Sequence, residues 1–252
     1  MPELPEAERA REQLVRALGR RIVAVDDRDT YVCRPHAPGE IAAALTGRTL
    51  TSAHRRGKFL WCETGDDGPE LGLHLGMAGR IVVDEEAATP PNPAWDRFAI
   101  DFEDGGRMAL RDRRRLGRAV LDPDWSHVGP DAALIGRTAF RDRFGRGAAP
   151  LKARLMDQSV ISGVGNLLAD ETLWRARLSP LRPAGSLATE DLDHLRRVLR
   201  AATRDAIRLG GVHTGRFVPA RVRGGTCPRC GTPLRREQVG GRTTYWCPIC
   251  QP

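Results

Sequence analysis

Lysine is nearly absent from this chain. Of its 252 residues forty are basic, and only Lys58 and Lys152 among them are not arginine. Arginine stays protonated, whereas an amine can exchange protons or point a compact charge at a phosphate, so each lysine either serves where arginine would not or survives by chance. Long apolar runs are lacking too. None comes near the ~20 residues that a bilayer-spanning helix needs, which excludes a membrane span, and the acidic, polar start excludes a signal peptide. There is no internal repeat and no low-complexity tract. What remains is expected to be a soluble cytoplasmic protein, long enough to bury a real core in one or two domains.

Acidic residues are scarce in one half only. Residues 1–136 hold 19 Arg/Lys against 23 Asp/Glu, a balance of −4, and residues 137–252 hold 21 against 9, a balance of +12. A basic half beside a near-neutral half suits a polyanion-binding surface, and nucleic acid is the usual polyanion. A generic arginine-rich composition is the alternative.

Hydrophobic periodicity predicts a leading helix over 5–18, with Ala7, Ala10, Leu14 and Leu18 on one face. Strand-like segments follow at 21–25, 49–53, 58–63, 71–75, 80–83, 97–102, 107–110 and 117–121, punctuated by Gly, Asp and Pro clusters. That spacing predicts a sandwich or barrel of antiparallel strands. Residues 84–96, rich in proline and acid, read as a surface loop, and 122–130 as a linker. Helical patterning then takes over at 151–160, 167–176 and 189–209, with Thr189 as N-cap, Glu190 and Asp191 in the first turn, and Gly210-Gly211 as the stop.

The strongest motif is Cys227-Pro-Arg-Cys230 with Cys247-Pro-Ile-Cys250, sixteen residues apart. Two such knuckles bring four thiolates around one tetrahedral Zn²⁺, which gives folding energy to a segment too small for its own core. Four thiolates leave no open coordination position, so the metal is structural. Cys33 and Cys62 read as reduced, buried thiols. Between the knuckles, Arg242 sits on a predicted β-hairpin, either as a solvated arginine or as an anion contact. Gly163 and Gly165, flanked by helical segments, allow a tight turn whose bare backbone can approach a phosphate, with Asn166 adding a side-chain amide; a plain helical hairpin is the alternative. Lys58 stands at a turn after Gly57. In the loops around Met77 and around Arg114 and Leu116, an apolar side chain beside arginines could wedge into a base stack. The bland reading is a core methionine and a solvated arginine run.

The first six residues carry the sharpest hypothesis. With Met1 removed, Pro2 presents a secondary amine, and an α-amino group titrates near ~8, about two units below a lysine, so it is a nucleophile without elaborate activation. Attack on a sugar aldehyde carbon gives an iminium, a covalent electron sink. Glu3 is placed to move protons at that carbon, and Glu6 follows one turn on, past Pro5, a residue suited to opening a helix.

Taken in this order, the pieces resemble the formamidopyrimidine-DNA glycosylase / endonuclease VIII family of DNA repair enzymes over essentially the whole chain. The opening Pro2-Glu3-Leu4-Pro5-Glu6 looks more like the formamidopyrimidine branch. The resemblance implies an α+β fold: an N-terminal β-sandwich with its leading helix over 1–125, a helix-two-turn-helix domain over 126–222, and a zinc finger over 223–252. It implies damaged DNA in the cleft between domains, a flipped nucleotide, one Zn²⁺ and a monomer, associated with the nucleoid of a bacterium. Pro2 would attack C1′ and release the base, Glu3 would act as acid/base, and Glu6 would support the site. The iminium would drive β- and then δ-elimination. Lys58 would contact a phosphate and the sugar, while Asn166 and Arg242 would hold phosphates. Met77, Arg97, Arg114, Leu116, Lys152 and His213 join them as candidate DNA contacts, Arg114 as the probe of the estranged base.

Three departures concern lesion choice. The formamidopyrimidine branch usually shows an arginine where Gly76 stands, and a phenylalanine where Leu116 stands. The segment after the long helix, 210–219, is much shorter than the family's loop that closes over 8-oxoguanine. A shorter loop could favour oxidised pyrimidines, single-stranded lesions, abasic sites or a bulkier adduct. His213 there either contacts DNA or caps a turn. A non-enzymatic protein that marks damaged DNA is the rival from another class.

Overall fold

The computed structural model describes residues 2–65, 67–84 and 92–252. Met1 and most of the loop expected at 84–96 lie outside those residues. The chain divides into two compact units: Pro2 with Ala7–Ser126, and Glu3–Glu6 with His127–Pro252.

The first unit holds most of helix α1 (Leu4–Val15), strand β1 (Ile22–Asp26), helix α2 (Glu40–Leu45) and seven further strands. These are β2 (Leu50–Arg56), β3 (Phe59–Thr64), β4 (Leu71–His74), β5 (Arg80–Asp84), β6 (Asp96–Phe102), β7 (Arg107–Arg111) and β8 (Arg118–Leu121). They form two four-stranded antiparallel sheets, ordered β1-β6-β7-β5 and β2-β3-β4-β8. All eight strands fall where alternation of apolar residues and turn signals predicted them. Successive side chains of a strand point to opposite faces, so Leu60 and Cys62 of β3, Phe98, Ile100 and Phe102 of β6, and Met108 and Leu110 of β7 enter one core. Register aligns them: Leu60 lies opposite Leu73, and Ile100 opposite Met108. Each such side chain contributes roughly 1.5–3 kcal/mol by leaving water. Ala10 and Leu14 of α1 and Ile41 and Leu45 of α2 join the same core. Cys33 and Cys62 are free and buried, and burial pushes both thiols up to about 12, which keeps them inert.

The second unit contains α3 (Arg137–Phe144), α4 (Leu151–Met156), α5 (Asn166–Ala176), α6 (Thr189–Leu209) and the hairpin β9 (Arg235–Val239) with β10 (Arg242–Trp246). Leu192, Leu195, Leu199, Ala202 and Ala206 line the buried face of α6 and meet Leu151, Leu155, Leu168 and Leu173. Leu4 belongs to this core too. Gly210 closes α6 in the left-handed conformation, φ 100°. The expected cap is shifted by one residue: Ala188 occupies the N-cap, Thr189 is the first helical residue, and no side chain caps the end. Helix α4 is shorter than expected because Asp157 Oδ1 accepts both the N–H and the hydroxyl of Ser159, a local bond that competes with the helix.

Contact density differs from the expected three segments in two ways. Glu3–Glu6 cluster with the helical unit, and 223–252 is not separate from it. The finger has no core of its own; Cys227 and Cys247 pack with Trp174 of α5 and Phe217, whose rings stack at 5.6 Å. Among the described residues no helix is long and apolar enough to cross a membrane.

Candidate active site and nucleic-acid interface

Between α4 and α5 the chain makes a two-turn connection stapled by one side chain. Gln158 Nε2 donates to the carbonyls of Met156 (2.7 Å) and Val164 (2.9 Å), and its Oε1 accepts the Gly163 N–H at 3.0 Å. The carbonyl of Gly163 accepts the N–H of Leu4 at 2.9 Å. This seats the N-terminal segment on the connection. The carboxylate of Glu3, 1% exposed, then takes three backbone donors at the start of α5. Oε2 accepts Gly165 N–H and Leu168 N–H, both at 3.0 Å, and Oε1 accepts Leu167 N–H at 2.9 Å. The first turn of a helix leaves its N–H groups unpaired and its dipole favours an anion, so an acceptor-only carboxylate is well matched there. Gly165 is required: a β-carbon would stand 2.4 Å from the Glu3 carboxyl carbon. The bare backbone read from the sequence as a phosphate approach is thus engaged by the protein's own glutamate and by Gln158. Asn166 begins α5, and its Oδ1 is buried without a partner among the described residues.

Glu6 ties the same segment to the short stretch after α6. Its Oε2 accepts the Glu3 N–H at 2.9 Å and its Oε1 the Val212 N–H at 2.7 Å. Gly211, at φ 140°, lies so close that a β-carbon would meet Glu6 Oε1 at 2.6 Å and His213 Nδ1 at 2.9 Å. His213 is exposed and makes no hydrogen bond among the described residues, so it caps no turn. Farther along, Glu171 accepts the N–H groups of Arg216 (3.2 Å) and Phe217 (2.7 Å), which pins the stretch at its middle.

In the first unit, Pro2 is half-buried and Lys58 occupies the β2–β3 turn after Gly57, whose φ is 63°. His74 lies close enough to Lys58 to feel its charge, a relation the sequence did not reveal. Burial, and then the Lys58 charge, push its pKa down to about 4. Its Nδ1 accepts the Gly76 N–H at 3.1 Å and its ring packs on Phe59, so a neutral imidazole lies beside the ammonium.

The loop around Met77 touches the loop of residues 112–117 through Gly76. Its φ is 60°, and a β-carbon would stand 2.4 Å from the carbonyl of Leu116. The backbone of Leu116 and Gly117 therefore leaves no room for a side chain at Gly76. Asp112, fully buried, accepts the N–H groups of Arg114 (2.9 Å), Leu116 (2.7 Å) and Gly117 (2.7 Å). Arg115 is fixed to Asp29 by two bonds of 2.9 and 2.8 Å. Arg114 is left exposed, Leu116 half-buried and Met77 41% exposed. Arg97 is placed otherwise than expected of a DNA contact. Its guanidinium donates to the carbonyls of Asp112 (3.0 Å) and Ala94 (2.6 Å), and so it braces this loop.

The four cysteine sulfurs lie within 4.8 Å of one another. Cys227–Cys250 is 4.0 Å, and Cys230–Cys247 and Cys230–Cys250 are 3.5 Å each. A tetrahedral zinc with Zn–S near 2.3 Å needs sulfurs roughly 3.8 Å apart, so the set fits. Trp174 Nε1 donates to Cys227 Sγ at 3.4 Å, an outer bond of the kind that orients a ligand. The hairpin tip Gly240-Gly241, both residues left-handed, sets Gly240 against Ala153 of α4. Arg242 follows, exposed, its guanidinium bonded among the described residues only to the neighbouring carbonyl of Gly241. Lys152 requires a correction. Its ammonium is fully buried, paired with Asp170 Oδ1 at 2.8 Å and donating to Thr243 O at 3.0 Å. Asp170 Oδ2 also accepts Arg221 Nε at 2.7 Å. Lys152 locks α4, α5 and the hairpin together and presents nothing to a phosphate.

These features define a class: a two-sheet unit with a leading helix, a helix-two-turn-helix connection closed on an N-terminal glutamate, and a four-thiolate zinc finger. Family models match it in three parts. The formamidopyrimidine-DNA glycosylase N-terminal domain matches residues 1–119, the formamidopyrimidine-DNA glycosylase H2TH domain 128–217, and a zinc finger found in FPG and IleRS 224–252. The chain belongs to the formamidopyrimidine-DNA glycosylase family. It is 37% identical to a formamidopyrimidine-DNA glycosylase of Nocardioides, covering 100% of this chain and 95% of that one. The solved MutM (Fpg) protein of Thermus thermophilus superposes with a TM-score of 0.82 at 36% identity over 99% of this chain and 98% of that one. Lactococcus lactis Fpg in complex with a Fapy-dG containing DNA gives 0.85 at 28% identity over 99% of both chains. The zinc is a structural one.

Proposed function

We propose that the protein is a bifunctional glycosylase and abasic-site lyase whose nucleophile is the amine of Pro2 after loss of Met1. The observation that carries this is the fixing of Glu3, the residue bonded to Pro2, by three N–H groups of α5. Pro2 nitrogen forms a bond to C1′ as the bond from C1′ to the base breaks, with Glu3 moving protons at that carbon. The C1′–O4′ bond then breaks, O4′ taking a proton, and the resulting open-chain iminium acidifies C2′–H. Loss of that proton expels the 3′ phosphate, and a second elimination expels the 5′ phosphate. Water then hydrolyses the iminium and frees Pro2.

Lesion-containing DNA is the proposed partner. Lys58, beside neutral His74, contacts a phosphate and the reacting sugar; Asn166 and Arg242 hold phosphates. Met77, Arg114 and Leu116 face the gap left by the extruded nucleotide. The functional division into 1–125, 126–222 and 223–252, a monomer, and a place at the nucleoid in the bacterial cytoplasm belong to the same proposal. The stretch at 210–222 is held by Glu6 and Glu171. That favours a lesion choice other than one requiring a long closing loop. A panel of lesion-bearing oligonucleotides, single- and double-stranded, scored for base release and nicking, tests both readings. Nicking of abasic or oxidised sites is expected; tight lesion binding without cleavage would support a non-catalytic damage marker instead.

A further inference from the structure

One flank of α6 carries Arg196, Arg200, Arg204 and Arg208 at steps of four residues, half-buried at Arg196 and Arg200 and exposed at Arg204 and Arg208, each step rising about 6 Å. Arg197 stands next to them, and α3 adds Arg137 and Arg141. Two carboxylates on this flank, Asp193 and Asp205, are taken. Asp193 is gripped by Arg141 through two bonds and lies 3.7 Å from Arg137. Asp205 accepts Arg175 at 2.6 Å, with Arg208 at 3.8 Å. The side chains of Arg200 and Arg204 make no hydrogen bond or ion pair among the described residues. Nε of Arg196 and of Arg200 is buried without a partner. Arg196 Nη1 donates to the Ile135 carbonyl at 3.1 Å, and burial, then the charges of Arg200 and Arg137, lower its pKa, with the Asp193 charge opposing them. No residue assigned above to the reaction or to the lesion lies on α6.

We infer that this arginine flank is a second polyanion surface, which takes the phosphate backbone of duplex DNA away from the lesion. A strand presents one phosphate per ~3.4 Å of axis, so arginines about 6 Å apart on a straight helix meet roughly every second phosphate. Such contacts carry no sequence information. They hold undamaged DNA while the molecule searches it. The inference rests on the reading of the protein as a DNA enzyme but uses none of the residues of that site.

The test compares the full-length, zinc-loaded protein with an Arg196→Gln/Arg200→Gln/Arg204→Gln variant and its Arg→Lys counterpart. Binding to a long undamaged duplex is followed against salt, and nicking of a short lesion duplex under saturating, single-turnover conditions. The glutamine variant is expected to lose about 2–3 from the slope of log K against log salt, at about 0.9 per phosphate, with nicking unchanged. The lysine variant keeps the slope. An unchanged slope in the glutamine variant overturns the inference. So does a lost slope in the lysine variant, which would report fold damage, or preferential binding of polyglutamate over DNA, which would assign the flank to an acidic protein. Failure of the wild type to nick would count against the proposed reaction and leave the salt slopes to decide this surface.

Discussion

Glu3 Oε2 lies 3.0 Å from the backbone nitrogen of Gly165, and there is no room for a β-carbon at that glycine. Though 162 positions apart in the chain, they meet because the fold brings its first acid to close the turn that begins α5. Gly165→Ala therefore displaces the carboxylate. Overpacking of this kind costs about 1–3 kcal/mol. Urea unfolding should show that loss, and base release should fall with it, while the salt dependence of binding undamaged DNA stays as it is. Wild-type excision by Gly165→Ala would show that the position of Glu3 does not matter.

Lys152 and Arg242 make opposite predictions. Lys152→Met leaves Asp170 buried beside Arg221 alone, and breaking a buried pair costs roughly 3–5 kcal/mol. Unfolding should show a large loss of stability. Arg242→Ala should leave stability unchanged and reduce the salt slope of lesion-DNA binding by about 1. A Lys152→Met protein of normal stability with a reduced slope would restore Lys152 as a phosphate contact.

His74 gives a pH dependence. Its pKa is about 4 in the fold, below the ordinary 6.5, so the unfolded chain binds the proton first. The stability that its neutral form contributes is complete above about 6.5 and is lost as pH falls toward 4, by up to ~3 kcal/mol on linkage grounds. Urea unfolding across that window should show stability rising with pH, less steeply in His74→Asn. Lys58→Met should raise the His74 pKa, since the lysine charge is the second cause of its depression. An NMR titration midpoint near 6.5 would contradict the burial argument.

Zinc removal should cost more than the finger. The four thiolates share a core with Trp174 and Phe217, and Trp174 belongs to α5. A chelator strong enough to take one zinc per chain should therefore change tryptophan fluorescence and abolish DNA binding together. Full binding by metal-free protein would remove the finger from the interface.

Local patterns announced the strands, α5, α6 and the cysteine set because period, turn residues and ligand spacing are local quantities. What escaped was nonlocal. Helix α2 has no side-chain cap of its own; Asp27 supplies one, accepting the N–H groups of Gly39 (2.8 Å) and Ala42 (3.0 Å) across a long connection. Helix α3 was missed because its charged exterior hides only Phe140 and Phe144 as a buried pair. Arg97 and Lys152 looked like anion contacts, and only the tertiary fold shows the carbonyls and the carboxylate that occupy them. The N-terminal residues were read as chemistry before any geometry was known, and the structure adds that Glu3 and Glu6 are each held by backbone donors.

The proposed reaction turns on a covalent bond from Pro2 to deoxyribose. Borohydride reduction during reaction with abasic-site DNA, followed by peptide mapping in a mass spectrometer, reads it directly. The account predicts one DNA adduct, on an N-terminal peptide that starts at Pro2. An adduct mapped to Lys58, or efficient strand cutting by protein that retains Met1 and traps nothing, would contradict it.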